Sequence, residues 1–261
     1  MRLIRIAWTY LRVGLAAELQ YRANFAVQAL QTLGGLGFAL GGVWTVFGHT
    51  QTLAGWHPEE VAALVGVYFL IRGAINAVIQ PSMQLLLEDV RRGTLDFTLT
   101  KPEDAQLLVS VRRVEVWRIV DVLVGVAVLA AAVGRLGGRI GVADALAFGV
   151  ALACGAAIVY SFLLALATFT FWFVRVENIL VIFQSMYTAG QWPVGIYPAW
   201  LRASLTFVVP IAFAVTVPAE GLTGRLDPVT LGGAAALAVG LLALSRAFWK
   251  VGLRRYTGAS A

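Results

Sequence analysis

Polar and apolar positions alternate along this chain in long blocks. From residue 23 to residue 58 there is no formally charged side chain, and residues 25–47 alone are long enough for one membrane crossing. The next block, 61–87, carries a single charge, Arg72. The third is weaker. Only 122–134 is charge-free, about 20 Å of helix at 1.5 Å per residue. It spans only with Trp117, Arg118 and Asp121 at its polar end and the arginine snorkelling. Residues 145–174 form a long fourth block. Two proline-interrupted blocks follow, 179–201 and 203–219, and a last one covers 229–245.

The first 20 residues follow a different period. Arg2, Arg5, Thr9 and Arg12 share one helical face, and Leu3, Ile6, Trp8 and Leu11 lie away from it. That pattern predicts an amphipathic helix in the membrane interface. A secretory signal peptide is disfavoured, because the apolar core is short and interrupted and no cleavage site follows.

Composition narrows the class. Of 261 residues, 59% are hydrophobic and 13% charged, with a mean hydropathy of +0.80. A soluble domain has about 25% charged residues, so this much apolar side chain exceeds what one water-covered core holds. A soluble enzyme, a disordered chain and a disulfide scaffold are all excluded, the last because Cys154 is alone. The expectation is an all-α membrane protein.

Charge placement then fixes the number of crossings. Arg2, Arg5, Arg12 and Arg22 stand near the N-terminus, and Arg246, Lys250, Arg254 and Arg255 near the C-terminus. The positive-inside rule puts both ends in the cytoplasm and requires an even count. Six spans, at about 23–47, 60–87, 116–134, 145–174, 179–195 and 228–246, place 15 of the 20 basic residues inside. One apolar block must then fail to cross. Pro193, Pro198, Pro210 and Pro218 mark it, since each removes a backbone donor. Residues 196–220 are expected to dip into the outer leaflet and return, with Pro228 opening span six. All but two basic residues are arginine, which with the Ala and Gly content hints at a GC-rich bacterial source.

Catalytic motifs do not emerge. Lys101 follows Thr100 and Lys250 follows Trp249, so neither belongs to a phosphate-binding P-loop. His49 and His57 fit no zinc spacing and read as loop residues, and there is no G-x-S-x-G or H-E-x-x-H. No catalytic residue and no metal ligand is nominated. Polar stripes do stand out. Arg72, Asn76, Gln80 and Gln84 recur every four residues in span two. Gln184, Tyr187, Thr188 and Gln191 share span five, and Asn24, Gln28 and Gln31 share span one. Polar groups at membrane depth face a bundle interior or a water path. Interhelical hydrogen bonding and a translocation pathway explain the stripes about equally. Arg72 is the sharpest of these residues, because mid-span it needs an acceptor. Glu115, Arg118 and Asp121, three apart, read as local ion pairs at the mouth of span three.

The connection after span two runs Glu88-Asp89-Val90-Arg91-Arg92-Gly93-Thr94-Leu95-Asp96-Phe97-Thr98-Leu99-Thr100-Lys101-Pro102-Glu103-Asp104. It reads as a charged turn, an apolar core of Leu95, Phe97 and Leu99, and a second turn at Pro102. Asp104 is placed to cap a helix running into span three. Gly93-Thr94-Leu95-Asp96 followed by Leu99-Thr100-Lys101-Pro102 resembles the G-x-L-D … L-x-K/R-P signature of ABC-2 type transporter permeases, in particular small six-span bacterial subunits that pair with a separate ATPase. Phe171-Trp172 continues the resemblance. Ile196-Tyr197-Pro198, Phe207-Val208-Val209-Pro210 and Val217-Pro218-Ala219 are similar to the external re-entrant region of those subunits.

The resemblance implies a single transmembrane domain over 1–261 that serves as half of an exporter. It would pair with a second permease, identical or paralogous, above two P-loop ATPase subunits that bind ATP and magnesium. Residues 86–104 would form the coupling helix, with Glu88, Arg91, Arg92, Gly93, Asp96, Lys101 and Pro102 at the ATPase. Arg72, Asn76, Gln80, Gln184, Tyr187 and Gln191 would line the pathway, and Pro198, Pro210 and Pro218 would shape the re-entrant region. The location implied is the bacterial inner membrane. Two rivals are a non-transporting membrane anchor or assembly subunit and an ion-coupled secondary transporter. The second lacks the usual intramembrane carboxylate, since Asp121 is the only acid near a span interior.

Overall fold

The computed structural model describes residues 22–137, 140–173 and 178–256. The expected interfacial helix over residues 1–20 lies outside them. Among the described residues the regular structure is all helical, without a strand. Five helices are long and apolar enough to cross a membrane: α1 (Ala23–Phe47), α2 (Pro58–Arg92), α5 (Val116–Leu136), α6 (Val142–Phe171) and α10 (Pro228–Leu253). Two short helices, α3 (Asp96–Leu99) and α4 (Ala105–Val111), lie between α2 and α5. After α6 come α7 (Ile179–Tyr187) and a bent pair, α8 (Ala199–Val208) and α9 (Ala212–Leu222). Counting the bent pair as one crossing raises the total to six.

Helix α2 starts with Pro58 and the acidic Glu59 and Glu60, and the backbone N–H of His57 donates to Glu60 Oε2 at 2.8 Å. It stops at Gly93, whose φ of 70° is the left-handed geometry that glycine tolerates best. Between these ends one wide turn, Ile75–Ile79, is π-helical. That turn leaves a carbonyl for another donor: the Glu115 N–H donates to Ala77 O at 2.7 Å. Ser82 adds a second tie, donating to Arg113 O at 3.0 Å and accepting from the Arg113 N–H at 3.2 Å. The chain leading into α5 is thereby stitched to the middle of α2.

Helices α2 and α5 pack backbone to backbone through glycine. A Cβ on Gly125 would clash with the Leu70 backbone nitrogen, and one on Gly73 would meet Val122 N at 2.7 Å. Without a hydrophobic drive between helices in lipid, such small-residue contacts supply dispersion and close approach. Helix α6 receives α9 in the same way, with Gly155 against the Phe213 carbonyl. Aromatic rings join α6 to α10: Trp172 stacks on Phe248 at 5.1 Å, and Phe171 meets Trp249 at 5.5 Å.

Several expectations change here. Helix α2 runs to Arg92, so Glu88, Arg91 and Arg92 occupy its last turns and not a charged loop. Helix α10 runs to Leu253 and carries Arg246 and Lys250 within it. Asp104 does cap a helix, accepting from the N–H groups of Gln106 (3.0 Å) and Leu107 (3.3 Å), but α4 ends at Val111 before α5 begins. Beyond Tyr187 the chain tightens into a 3-10 turn, Thr188–Gln191, and stops at Trp192 just before Pro193. Val209 is extended ahead of Pro210, and the α8 and α9 axes meet at 78° there.

Candidate functional site

A cavity of about 270 Å³ opens between α2 and α7. Arg72, Asn76, Gln80, Gln184 and Tyr187 all line it, so the stripes of span two and span five converge as one polar surface. The Gln184 amide donates to Asn76 Oδ1 at 3.1 Å. Gln191, at the end of the 3-10 turn, is half-buried and outside the lining; Gln84 is exposed and borders a separate surface groove with Leu87, Glu88 and Arg91. Tyr68, Ile75 and Phe183 supply the apolar wall, and Tyr68 stacks on Tyr187 at 5.2 Å. The π-helical turn lies at the cavity itself, where it sets Ile75 and Asn76.

Arg118 also lines the cavity, a placement the sequence reading missed. It does not snorkel away from the core: its Nη1 donates to Gln28 Oε1 at 3.1 Å and its Nε meets Glu115 Oε2 at 3.4 Å. The expected Glu115–Arg118–Asp121 ladder therefore divides. Asp121 is fully buried and turned to α1, accepting a short hydrogen bond from the Thr32 hydroxyl and 3.3 Å bonds from the Gln28 amide. Of the expected stripe on α1, Gln28 faces inward while Asn24 and Gln31 are exposed. Thr32, one turn past Gln28, was the missing member. Asp121 does not line the cavity.

The charges of the cavity are unbalanced. No acidic residue lines it, and among the described residues Arg72 has no ion-pair partner. Its guanidinium carbon lies 5.9 Å from the ring centres of both Tyr68 and Phe69. A central arginine costs about 2.5–3.5 kcal/mol on insertion scales, and cation–π contact at that range returns about 0.5–2 kcal/mol.

The second surface is the connection between α2 and α5. Glu88 pairs with Arg92 at 2.5 Å, while Arg91, Arg92, Thr100, Lys101 and Pro102 are exposed. Asp96 opens α3, and Leu95 is fully buried. Phe97, expected in a small apolar core, is instead 77% exposed, so the same connection presents a bare aromatic ring as well as exposed cations. The scaffold beneath is firmly held. Arg112 pairs with Asp89 at 2.6 Å and donates to Thr98 Oγ1 at 2.7 Å, and the Thr94 hydroxyl donates to Asp89 Oδ1 at 2.9 Å. Arg246 on α10 grips the Asp104 carboxylate with two bonds and donates to Gln106 Oε1 at 2.8 Å. That grip, more than the opposing effect of burial, holds the Asp104 carboxyl below the usual aspartate range.

At the other end of the molecule Arg225 bonds Glu60 Oε2 at 2.6 Å and Gly55 O at 2.8 Å and covers Trp56. Pro198 precedes α8, Pro210 sits at the bend, and Pro218 is buried within α9. The His49 Nδ1–H donates to the Thr45 carbonyl at 3.0 Å, and no group of three or more His, Cys, Asp or Glu is arranged to hold a metal among the described residues.

Long apolar helices with a polar cavity between two of them mark a multi-pass membrane protein. Residues 35–260 match the model of the ABC-2 family transporter proteins, and the chain belongs to that family. No curated protein and no solved structure matches it.

Proposed function

We propose that this chain is the permease subunit of an ATP-driven exporter of the bacterial inner membrane, with both termini in the cytoplasm. The observation that carries the reading is the α2–α5 connection, which exposes Phe97 together with Arg91, Arg92 and Lys101 on a stretch bonded to α2, α4 and α10. Such a surface suits docking of a soluble partner: an aromatic anchor supplies buried area and the surrounding cations orient it. Glu88, Gly93, Asp96 and Pro102 complete the coupling region. The partner is a P-loop ATPase, two copies per complex, which binds ATP and magnesium; a second permease, identical or paralogous, completes the membrane core.

In this topology α7 and its 3-10 extension make the fifth crossing, and α8 and α9 form the re-entrant region around Pro198, Pro210 and Pro218. ATP binding on the partner moves the coupling region, and the bonds from Glu115 to Ala77 and from Ser82 to Arg113 carry that movement to the π-turn at the cavity. Arg72, Asn76, Gln80, Gln184, Tyr187 and Gln191 belong to the translocation pathway. A non-moving anchor would need the docking surface but has no use for a polar cavity inside the membrane.

Charge reversal tests the docking. In Arg91→Glu/Arg92→Glu, substrate-stimulated ATPase activity of the reconstituted complex should fall to the basal rate while the permease still inserts and purifies as one species. Helix α2 itself tolerates the change, since like charges at Glu88 and position 92 cost only about 0.2–0.5 kcal/mol. Full stimulation in the double variant overturns the proposal.

A further inference from the structure

Arg72 has a place in the fold that packing does not explain. It lies about 21 Å along α2 from Pro58, at 1.5 Å per residue, and its guanidinium faces two aromatic rings without an ion-pair partner among the described residues. Arg118 brings a second guanidinium to the same cavity, in part neutralised by Glu115. Two further lining groups are buried without a hydrogen-bond partner: Gln80, 5% exposed, through its amide oxygen, and Tyr187, 4% exposed, through its hydroxyl. A tyrosine hydroxyl donates to an anion, and a glutamine amide presents its NH₂ end by rotation. Two guanidiniums, a hydroxyl and an amide, with no lining carboxylate, form a donor set for a negative group. A cation would meet repulsion there, and a neutral apolar group would leave Gln80 and Tyr187 unsatisfied.

Size and surroundings narrow the ligand. At about 270 Å³ the cavity is smaller than the roughly 300–1,000 Å³ that enclose a whole drug-sized molecule. It therefore takes a headgroup. Thr188, which lines the cavity just past the end of α7, is exposed, and on α7 itself Val181 and Ile182 present an exposed apolar face. We propose that the cavity binds the phosphate or carboxylate headgroup of an anionic amphiphile whose apolar part stays in the bilayer against α7. The assignment deepens the transport reading and rests on it for its physiological meaning, but the binding itself is measured on the permease alone.

Full-length permease purified in dodecyl maltoside is unfolded thermally, with tryptophan fluorescence as readout, across titrations of dodecyl phosphate, dodecyltrimethylammonium and inorganic phosphate. Dodecyl phosphate should raise the midpoint saturably. The apparent affinity should drop about tenfold or more in Arg72→Gln, the loss expected for a charged hydrogen bond, and stay unchanged in the exposed control Arg255→Gln. Dodecyltrimethylammonium should give no saturable rise. An equal response in Arg72→Gln, or an equal rise with the cationic amphiphile, overturns the proposal. A saturable, Arg72-dependent rise with inorganic phosphate overturns the amphiphile assignment and makes the ligand a water-soluble anion. If Arg72→Gln does not fold, Asn76→Asp serves in its place, because a carboxylate beside Arg72 neutralises the guanidinium where it stands and should abolish the response. Binding that survives in Arg91→Glu/Arg92→Glu separates this result from any failure of ATPase coupling.

Discussion

Asp121 shows how much one side chain's surroundings decide. The sequence placed it in a ladder of local ion pairs at the mouth of span three, because Glu115, Arg118 and Asp121 are three apart. In the fold it is fully buried and held by Thr32 and Gln28 of α1, so the acid acts as a staple between α1 and α5. A carboxylate there is tolerated only while its donors remain, and removing one leaves a buried charge short of a partner. Thr32→Val keeps the shape and deletes the hydroxyl. It should lower unfolding stability in detergent by about 1–3 kcal/mol, while Gln31→Leu on the exposed side of α1 should stay within about 0.5 kcal/mol of wild type. Equal midpoints for Thr32→Val and wild type would remove the staple from the account. Thr32 escaped the sequence reading because a threonine in an apolar run carries no charge to mark it; its one signal was the i,i+4 spacing from Gln28.

For whole elements, legibility followed length and charge. The long apolar runs of α1, α2, α6 and α10 stand out in the sequence because hardly any charge interrupts them, and the prolines at 193 and 210 mark the breaks that the backbone makes there. Helix ends were harder to read. Charged residues looked like loop, yet α2 and α10 continue through Arg92 and Lys250, since helical hydrogen bonding continues past the apolar stretch until a glycine or a cap stops it. The glycines that bring α2 and α5 together were invisible for another reason. A chain with 27 glycines gives no hint of which ones face a neighbour. Position decides their effect. A Cβ at Gly125 would meet backbone atoms of α2 on both sides, which cannot rotate away, whereas nothing lies within 4 Å of one at Gly134 on the same helix. Gly125→Ala should therefore destabilise by about 1–3 kcal/mol through forced separation of the helices. Gly134→Ala should be neutral or gain up to about 1 kcal/mol from helix propensity. Thermal unfolding of the two variants side by side checks this, and a Gly125→Ala protein as stable as Gly134→Ala contradicts the close packing.

Across the whole molecule, one ion pair ties the α2–α5 connection to the last helix. Arg246 and Asp104 are far apart in sequence, and no residue pattern announces that they meet; only the packing of α10 beside α6, and of α4 near both, brings them together. Tyr160 of α6 extends the contact, accepting from the Gln106 amide at 3.1 Å and donating to the Ser110 hydroxyl at 2.8 Å, which itself donates to Gln106 O. A displacement of the connection must therefore drag α6 and α10 or break this knot. Acid offers a way to open it without mutation. Arg246 holds the folded-state pKa of Asp104 below its unfolded value, so the stability the pair contributes is fully present above the ordinary aspartate pKa of about 3.9. It is lost as the pH falls through the depressed folded-state value. Asp104→Asn separates this charge effect from the local one, because asparagine caps a helix about as well as aspartate. The variant should unfold at a lower temperature than wild type at pH 7, and the gap should close as both are acidified below about pH 4. An unchanged gap at low pH would assign the loss to the cap or to packing, and the connection would then be fastened to α10 by something other than charge.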